Sequence, residues 1–193
     1  MIRRIGIIVV GTALLAAAMW LKQVEPRARS HDTQPLRNSG RIGQSLSNSA
    51  FSIRVERVEL ARSLAPPLGV TTQPNIGTDG IFVIVHLQAK AAKEPFLMDQ
   101  VRLESGAYTF TDNGRTYALN TAEGTYQPMI WRKALAGFEI PRNRLAGARL
   151  VVGQGGLLTQ LSPETEVDLG ITPGKAADMM AHAVDGYAAR GGQ

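Results

Sequence analysis

From Phe51 onward the apolar positions of the chain recur at every second residue. In FSIRVERVEL, Phe51, Ile53 and Val55 fall on one face, and Val58 and Leu60 resume that face after a slip of one residue. Such a slip is the mark of a bulged β-strand. IFVIVHLQAKA sets Ile81, Val83, Val85, Leu87 and Ala89 against Phe82, Ile84, His86, Gln88 and Lys90. Its first half is apolar on both faces, as a central strand is, and its second half is polar on one. A Pro/Gly-rich loop, LAPPLGVTTQPNIGTDG, separates the two runs. QVRLES, AYTF, RTYAL, GFEIP, ARLVVG, LLTQL and EVDLGI follow as short strands with turn residues between them. Asn113-Gly114 supplies the left-handed positions of a tight hairpin between AYTF and RTYAL. About eight or nine strands at this spacing predict an all-β fold, an antiparallel β-sandwich over residues 51–171. Its roughly 120 residues suffice to bury about two-thirds of the unfolded surface without a disulfide.

Both ends of the chain depart from that pattern. In TPGKAADMMAHAVDGYAARGGQ, Ala176, Met179, Met180, Ala183, Val184 and Tyr187 recur at helical spacing, after Thr172 as cap and Pro173 as first helical residue. Residues 172–193 therefore predict a short amphipathic tail helix, docked on its own sandwich or lying in a partner's groove. Residues 23–50 are rich in Ser, Asn, Arg, Gly and Pro. With so few large apolar residues the segment does not offset its ordering entropy, and it reads as a flexible tether. Its arginines either keep it soluble or touch anionic lipid.

Residues 1–22 read as an N-terminal transmembrane anchor. Arg3 and Arg4 precede an uncharged run from Ile5 to Leu21, roughly 25 Å of helix, at the short limit for a hydrocarbon layer of about 30 Å. Trp20 suits the headgroup level and Lys22 can snorkel outward, which lengthens the span. The competing reading is a signal peptide cleaved after Ala18, because Ala16, Ala17 and Ala18 satisfy a cleavage preference and the mature chain would then be secreted. The unbroken run through Met19, Trp20 and Leu21 favours retention. Arg3 and Arg4 favour a cytoplasmic N-terminus while Lys22, Arg27 and Arg29 oppose it, so charge alone leaves orientation open. The short head and signal-like layout favour export of the long C-terminal part.

The net charge of +5 and pI near 9.9 change this picture little. Residues 1–50 carry seven Lys/Arg against two Asp/Glu, which accounts for the whole excess, and residues 51–171 carry twelve of each sign. A neutral body lacks the concentrated basic footprint of a nucleic-acid binder. The absence of cysteine excludes disulfides, thiolate metal sites, a Cys nucleophile and a lipidated Cys anchor.

Candidate chemistry is sparse. Gly153, Gly155 and Gly156 follow a strand, but a dinucleotide loop needs its third glycine where Leu158 stands, so a turn is the better reading. His31, His86 and His182 share no metal-ligand spacing. Asp79, Asp99, Asp112 and Asp168 show no calcium-loop spacing, and Asp79 and Asp112 sit in turn contexts where Asp bonds its own backbone. Nucleophile-elbow, zinc-protease and phosphate-loop motifs are absent. No catalytic, cofactor-binding or metal-binding residue is assigned. One stretch, TYQPMIWRK, holds large aromatics beside Arg, the chemistry of interface hot spots and equally of a sandwich end. Its Tyr126, Met129, Trp131, Arg132 and Lys133 are the candidate partner-binding residues.

In the order of FSIRVERVELARSL, TDGIFVIVHLQAKA, FEIPRNRLAGARLVV and EVDLGI, the stretch from about Phe51 to Ile171 resembles a widespread bacterial family of exported immunoglobulin-like domains of unknown function. That family is similar in fold to the secreted immunoprotective extracellular protein. The resemblance implies an immunoglobulin-like sandwich at the cell surface with a binding or accessory role, and carries no catalytic residue. The expectation is a membrane-anchored, extracytoplasmic, non-enzymatic module, held in the bilayer through residues 5–21 and contacting an unknown envelope protein. The alternatives are a secreted antigen-like protein and an unrecognised hydrolase, which requires a polar cleft around His86 or paired carboxylates.

Overall fold

The structure, a computed structural model, describes residues 37–66, 74–154 and 162–188, all within one of the chain's two units, Pro35–Gln193. The expected anchor, the first part of the tether, the strand LLTQL and the glycines Gly155 and Gly156 lie outside the described residues. The elements are β1 (Arg37–Arg41), β2 (Ser45–Ser47), β3 (Phe51–Leu64), β4 (Ile76–Ala91), β5 (Phe96–Met98), β6 (Gln100–Ser105), β7 (Tyr108–Phe110), β8 (Gly124–Tyr126), β9 (Arg132–Ile140), β10 (Arg149–Gly153), β11 (Glu164–Asp168) and α1 (Pro173–Ala181).

The alternation of FSIRVERVEL and IFVIVHLQAKA makes β3 and β4 the long antiparallel pair at the centre of a four-stranded sheet ordered β2-β3-β4-β9. The slip between Val55 and Val58 is a register shift between Val55 and Arg57. It returns Val58 and Leu60 to the inward face. A five-stranded sheet, β1-β11-β10-β6-β7, lies opposite, and β5 and β8 form a separate ribbon. Phe51, Ile53 and Phe138 of the first sheet and Leu103, Leu150 and Val167 of the second share one buried cluster. The fold is thus a β-sandwich.

Several expectations need correction. Residues 37–50 are not tether: Arg37–Arg41 and Ser45–Ser47 are strands. Their residues are polar, but backbone pairing with β11 and β3 satisfies their N–H and C=O groups, and Leu46 and Ile42 pack on the core. β1 runs parallel to β11, so the sandwich is not purely antiparallel. Asn113-Gly114 does not turn a hairpin, for RTYAL forms a 3₁₀ turn over Tyr117–Leu119 instead of a strand. Gly114 still takes the positive φ of 47°. Asn113 donates through its side chain to Glu139 at 2.7 Å, and Leu119 is buried on the outward face of β4 beside Phe82 and Ile84.

The tail helix starts as expected: Thr172 Oγ1 accepts from the Lys175 amide at 3.3 Å and Pro173 opens the helix. It ends at Ala181, not at the chain terminus. Beyond it Val184 and Tyr187 bridge in parallel to Ala61 and Leu64 of β3. The amides of Val184 and Tyr187 donate to Leu60 and Ser63 at 3.0 and 2.9 Å, and those of Arg62 and Ala65 donate back. Residues 183–187 therefore form a strap along the edge of β3. Gly186 makes the bend with φ 67°, and a Cβ there would meet Asn75 Nδ2 at 2.8 Å.

Candidate functional site

The end of the sandwich at which β4 and β9 meet carries the candidate site. Ala91 at the end of β4 bridges Pro128, and its amide donates to Gln127 O at 3.2 Å. This pairing anchors one side of the loop that leads into β9. Tyr126, 1% exposed, donates its hydroxyl to Ala122 O at 2.7 Å. Burial pushes its phenol up, against the opposing charge of Arg132. The Arg132 guanidinium stacks 4.2 Å from the Tyr126 ring centroid and donates to Thr121 O at 2.7 Å and Thr125 O at 3.2 Å. Tyr126 and Arg132 thus belong to the foundation, not to the outward surface.

Between them the chain turns outward. Met129 adopts φ 67°, unusual for a residue with a Cβ, and Met129, Ile130 and Trp131 are 85%, 64% and 39% exposed. The Lys90 ammonium lies 5.1 Å from the Trp131 ring centroid, and Lys133 is exposed two residues beyond. Of the five residues expected from sequence, Met129, Trp131 and Lys133 face outward while Tyr126 and Arg132 face inward. Ile130 and Lys90 were missed. The MIW triplet is itself a signal for Ile130, but Lys90 reaches Trp131 only through the register of β4 on β9, which the sequence does not display.

Two other groups of polar side chains are held largely by bonds within the protein. At the opposite end, a cleft of about 930 Å³ is lined by Thr78, Asp79, Arg115, Glu139 and Arg142, among others. Glu139 accepts from Thr78, from Asn113 and, at 2.7 Å, from Arg115. Burial pushes its carboxyl up, but these hydrogen bonds and the Arg115 charge hold it below the ordinary range. Arg115 also bonds Gly77 O, and Arg142 bonds Gly80 O at 3.1 Å. The cleft is therefore a brace tying β9 to β4 and to the loop after β7. On the outward face of the five-stranded sheet, Arg37 bridges Glu104, Glu164 and Glu166, and Arg102 bridges Glu104 and Glu164. Val151, opposite both Arg102 and Glu166, is fully buried beneath that ladder.

His86 is not a solvated histidine. Its Nε2 lies 2.8 Å from Glu59 Oε2 and 3.4 Å from the Tyr187 hydroxyl, with the side chain 14% exposed. Both partners address the same nitrogen, so no carboxylate–imidazole–hydroxyl relay runs through the ring. Burial pushes Glu59 up, but the bonds from His86 and Arg57 hold it below the ordinary range. Burial pushes the Tyr187 phenol up, as does the Glu59 charge. Asp168 accepts from the Gly170 amide at 2.8 Å, a turn role. Glu123 is pushed up by burial and by the charges of Asp112 and Asp99. Among the described residues no group of three or more His, Asp or Glu is placed to hold a metal ion, and no helix is long and apolar enough to cross a membrane.

No family model matches the chain, and no curated protein does. Solved structures to which it is similar include a predicted lipoprotein (ycdA) from Bacillus subtilis subsp. subtilis str. 168, at 15% identity and a TM-score of 0.43 over 71% of this chain and 40% of that one. The chain thus spans two-fifths of that protein's length. An uncharacterized β-sandwich protein from Clostridium difficile 630 is similar at 9% identity and a TM-score of 0.39, over 68% of this chain and 93% of that one.

Proposed function

We propose that this protein is a membrane-anchored, extracytoplasmic, immunoglobulin-like module that works by surface contact with a component of the envelope and performs no catalysis. The carrying observation is the ridge Met129–Trp131: three consecutive large apolar side chains held outward on a loop fixed at both ends, while Glu139, Arg115 and Arg142 of the cleft and the charged residues of the sheet face are engaged in bonds within the protein. Exposed apolar residues of that kind, beside lysines, mark a contact site. The run Ile5–Leu21 supports the anchor, and the family resemblance supports export.

Fractionation of native cells tests the reading. The chain is expected in the membrane fraction, released by detergent and not by high salt, with an intact mass that includes residues before Ala18. Protease added outside the membrane is expected to cut the sandwich. A mature chain beginning at Met19 in the medium would replace this reading with the secreted one.

A further inference from the structure

The ridge and the entry point of the chain lie at the same end of the sandwich. The described chain begins at Arg37, which is in register with Glu164, the first residue of β11. Glu164 lies beside Gly153 at the end of β10, and Gly153 pairs with Gln100 at the start of β6. Asn48 ties this end to the other sheet: its Nδ2 donates to Thr165 at 3.1 Å, and its Oδ1 caps the start of β3 by accepting from Phe51 N at 2.8 Å. Phe51 pairs with Ala91, which bridges Pro128 at the foot of the ridge. Leu97, on β5 at this end, is also exposed.

We propose that Met129, Ile130 and Trp131, with Lys90 and Lys133, form a bilayer-contact surface that dips into the headgroup layer of the anionic membrane holding the N-terminal segment. The proposal rests on the membrane-anchored reading above. Residues 22–36 join the apolar run to β1, and fifteen residues reach at most roughly 50 Å when fully extended, so a membrane holding that run keeps Arg37 within that reach. That end carries what an interfacial contact uses: a tryptophan suited to the headgroup level, longer apolar tips beside it, and lysines whose ammonium groups meet anionic lipid. A protein occupant fits less well. Lysine is depleted at protein interfaces, and a convex ridge of three side chains falls short of the roughly 1,000 Å² that a stable interface buries. The left-handed Met129 and the Arg132 bonds to Thr121 and Thr125 hold the tips outward in advance, so docking orders little that is not already ordered.

The chain has two tryptophans, Trp20 and Trp131, which allows a direct test on the full-length protein in phosphatidylcholine–phosphatidylglycerol vesicles with brominated acyl chains. In the Trp20→Phe protein, Trp131 emission is expected to be quenched by the brominated lipid, and to recover when phosphatidylglycerol is omitted or salt is raised. Lys90→Gln and Lys133→Gln are each expected to lower the docked-to-undocked ratio about fivefold. Unquenched Trp131 that iodide reaches freely would overturn the proposal. So would Trp131 shielded from iodide yet unquenched by the lipid, an outcome that assigns the ridge to a protein or a second copy. The Trp131→Phe protein keeps the two readings apart. Quenched Trp20 with unquenched Trp131 sinks only the contact surface, and unquenched Trp20 with quenched Trp131 sinks only the anchor.

Discussion

On the outward face of the five-stranded sheet, Arg37, Arg102, Glu104, Glu164 and Glu166 stand in a ladder of ion pairs; on that of the four-stranded sheet, β4 presents Phe82 and Ile84, both fully buried. The first face needs no cover, because its long side chains shield Val151 while their charges stay partly in water. The second does need cover. It receives Leu119 from the 3₁₀ turn and Tyr187 from the strap. The apolar character of β4 on both faces thus dictates that the chain bring two later segments back over it. The tail is consequently part of the sandwich, and reading it as a free partner helix would mistake structure for recognition.

This contrast breaks most clearly at Phe82. Phe82→Ala is expected to cost about 3–5 kcal/mol in urea unfolding, the loss typical of a core aromatic; a cost below about 1 kcal/mol would show that the covered face is no core. A smaller effect is expected at Gly137, where a Cβ would sit 2.8 Å from the Leu119 Cβ. Gly137→Ala should cost about 1–3 kcal/mol by overpacking. Part of that cost should vanish when Leu119→Ala is combined with it, a coupling that a double-mutant cycle measures.

The charged face should respond less, and to acid. Burial pushes Glu104 up, but the Arg102 hydrogen bond and the Arg37 charge hold its carboxyl below the ordinary 4.5. A carboxylate with a depressed folded pKa stabilises the protein above its unfolded value, and that contribution disappears as pH falls through the folded value. Unfolding free energy should therefore decline below about pH 4.5, and Arg102→Gln should flatten the decline. At neutral pH the same substitution is expected to cost about 1–2 kcal/mol, allowing for solvent screening of the partly exposed partners. The smallest effect belongs to the ridge. Met129→Ser with Ile130→Ser should leave urea stability within about 0.5 kcal/mol of the parent, and a larger loss would make the ridge a structural cap.

What the sequence displayed was the part governed by local periodicity. The bulge near Glu56, the two-faced apolar half of β4 and the Thr172 cap with Pro173 all follow from residues within a few positions of one another. The rest depends on distant partners. β1 and β2 have almost no apolar side chains of their own and exist because β11 and β3 accept their backbones. Val184 and Tyr187 keep helical spacing in sequence, yet the edge of β3 offers four backbone hydrogen bonds that override it. Within the candidate site, MIW was visible as a group. That Tyr126 and Arg132 point inward, and that Lys90 joins Trp131, follows from the pairing of β4 with β9 and from the bonds of the Ala122–Thr125 segment.

The strap has a consequence for copies of the molecule at high local density. A long, flat strand left open along one side templates the addition of another chain, and crowding multiplies such encounters. Here β2 closes the first part of that side, residues 183–187 close the last, and the intervening stretch is kinked by the bulge and carries the exposed Glu56 and Arg57. That side of β3 thus offers no long open edge to another copy, and removing residues 183–187 would expose its last part.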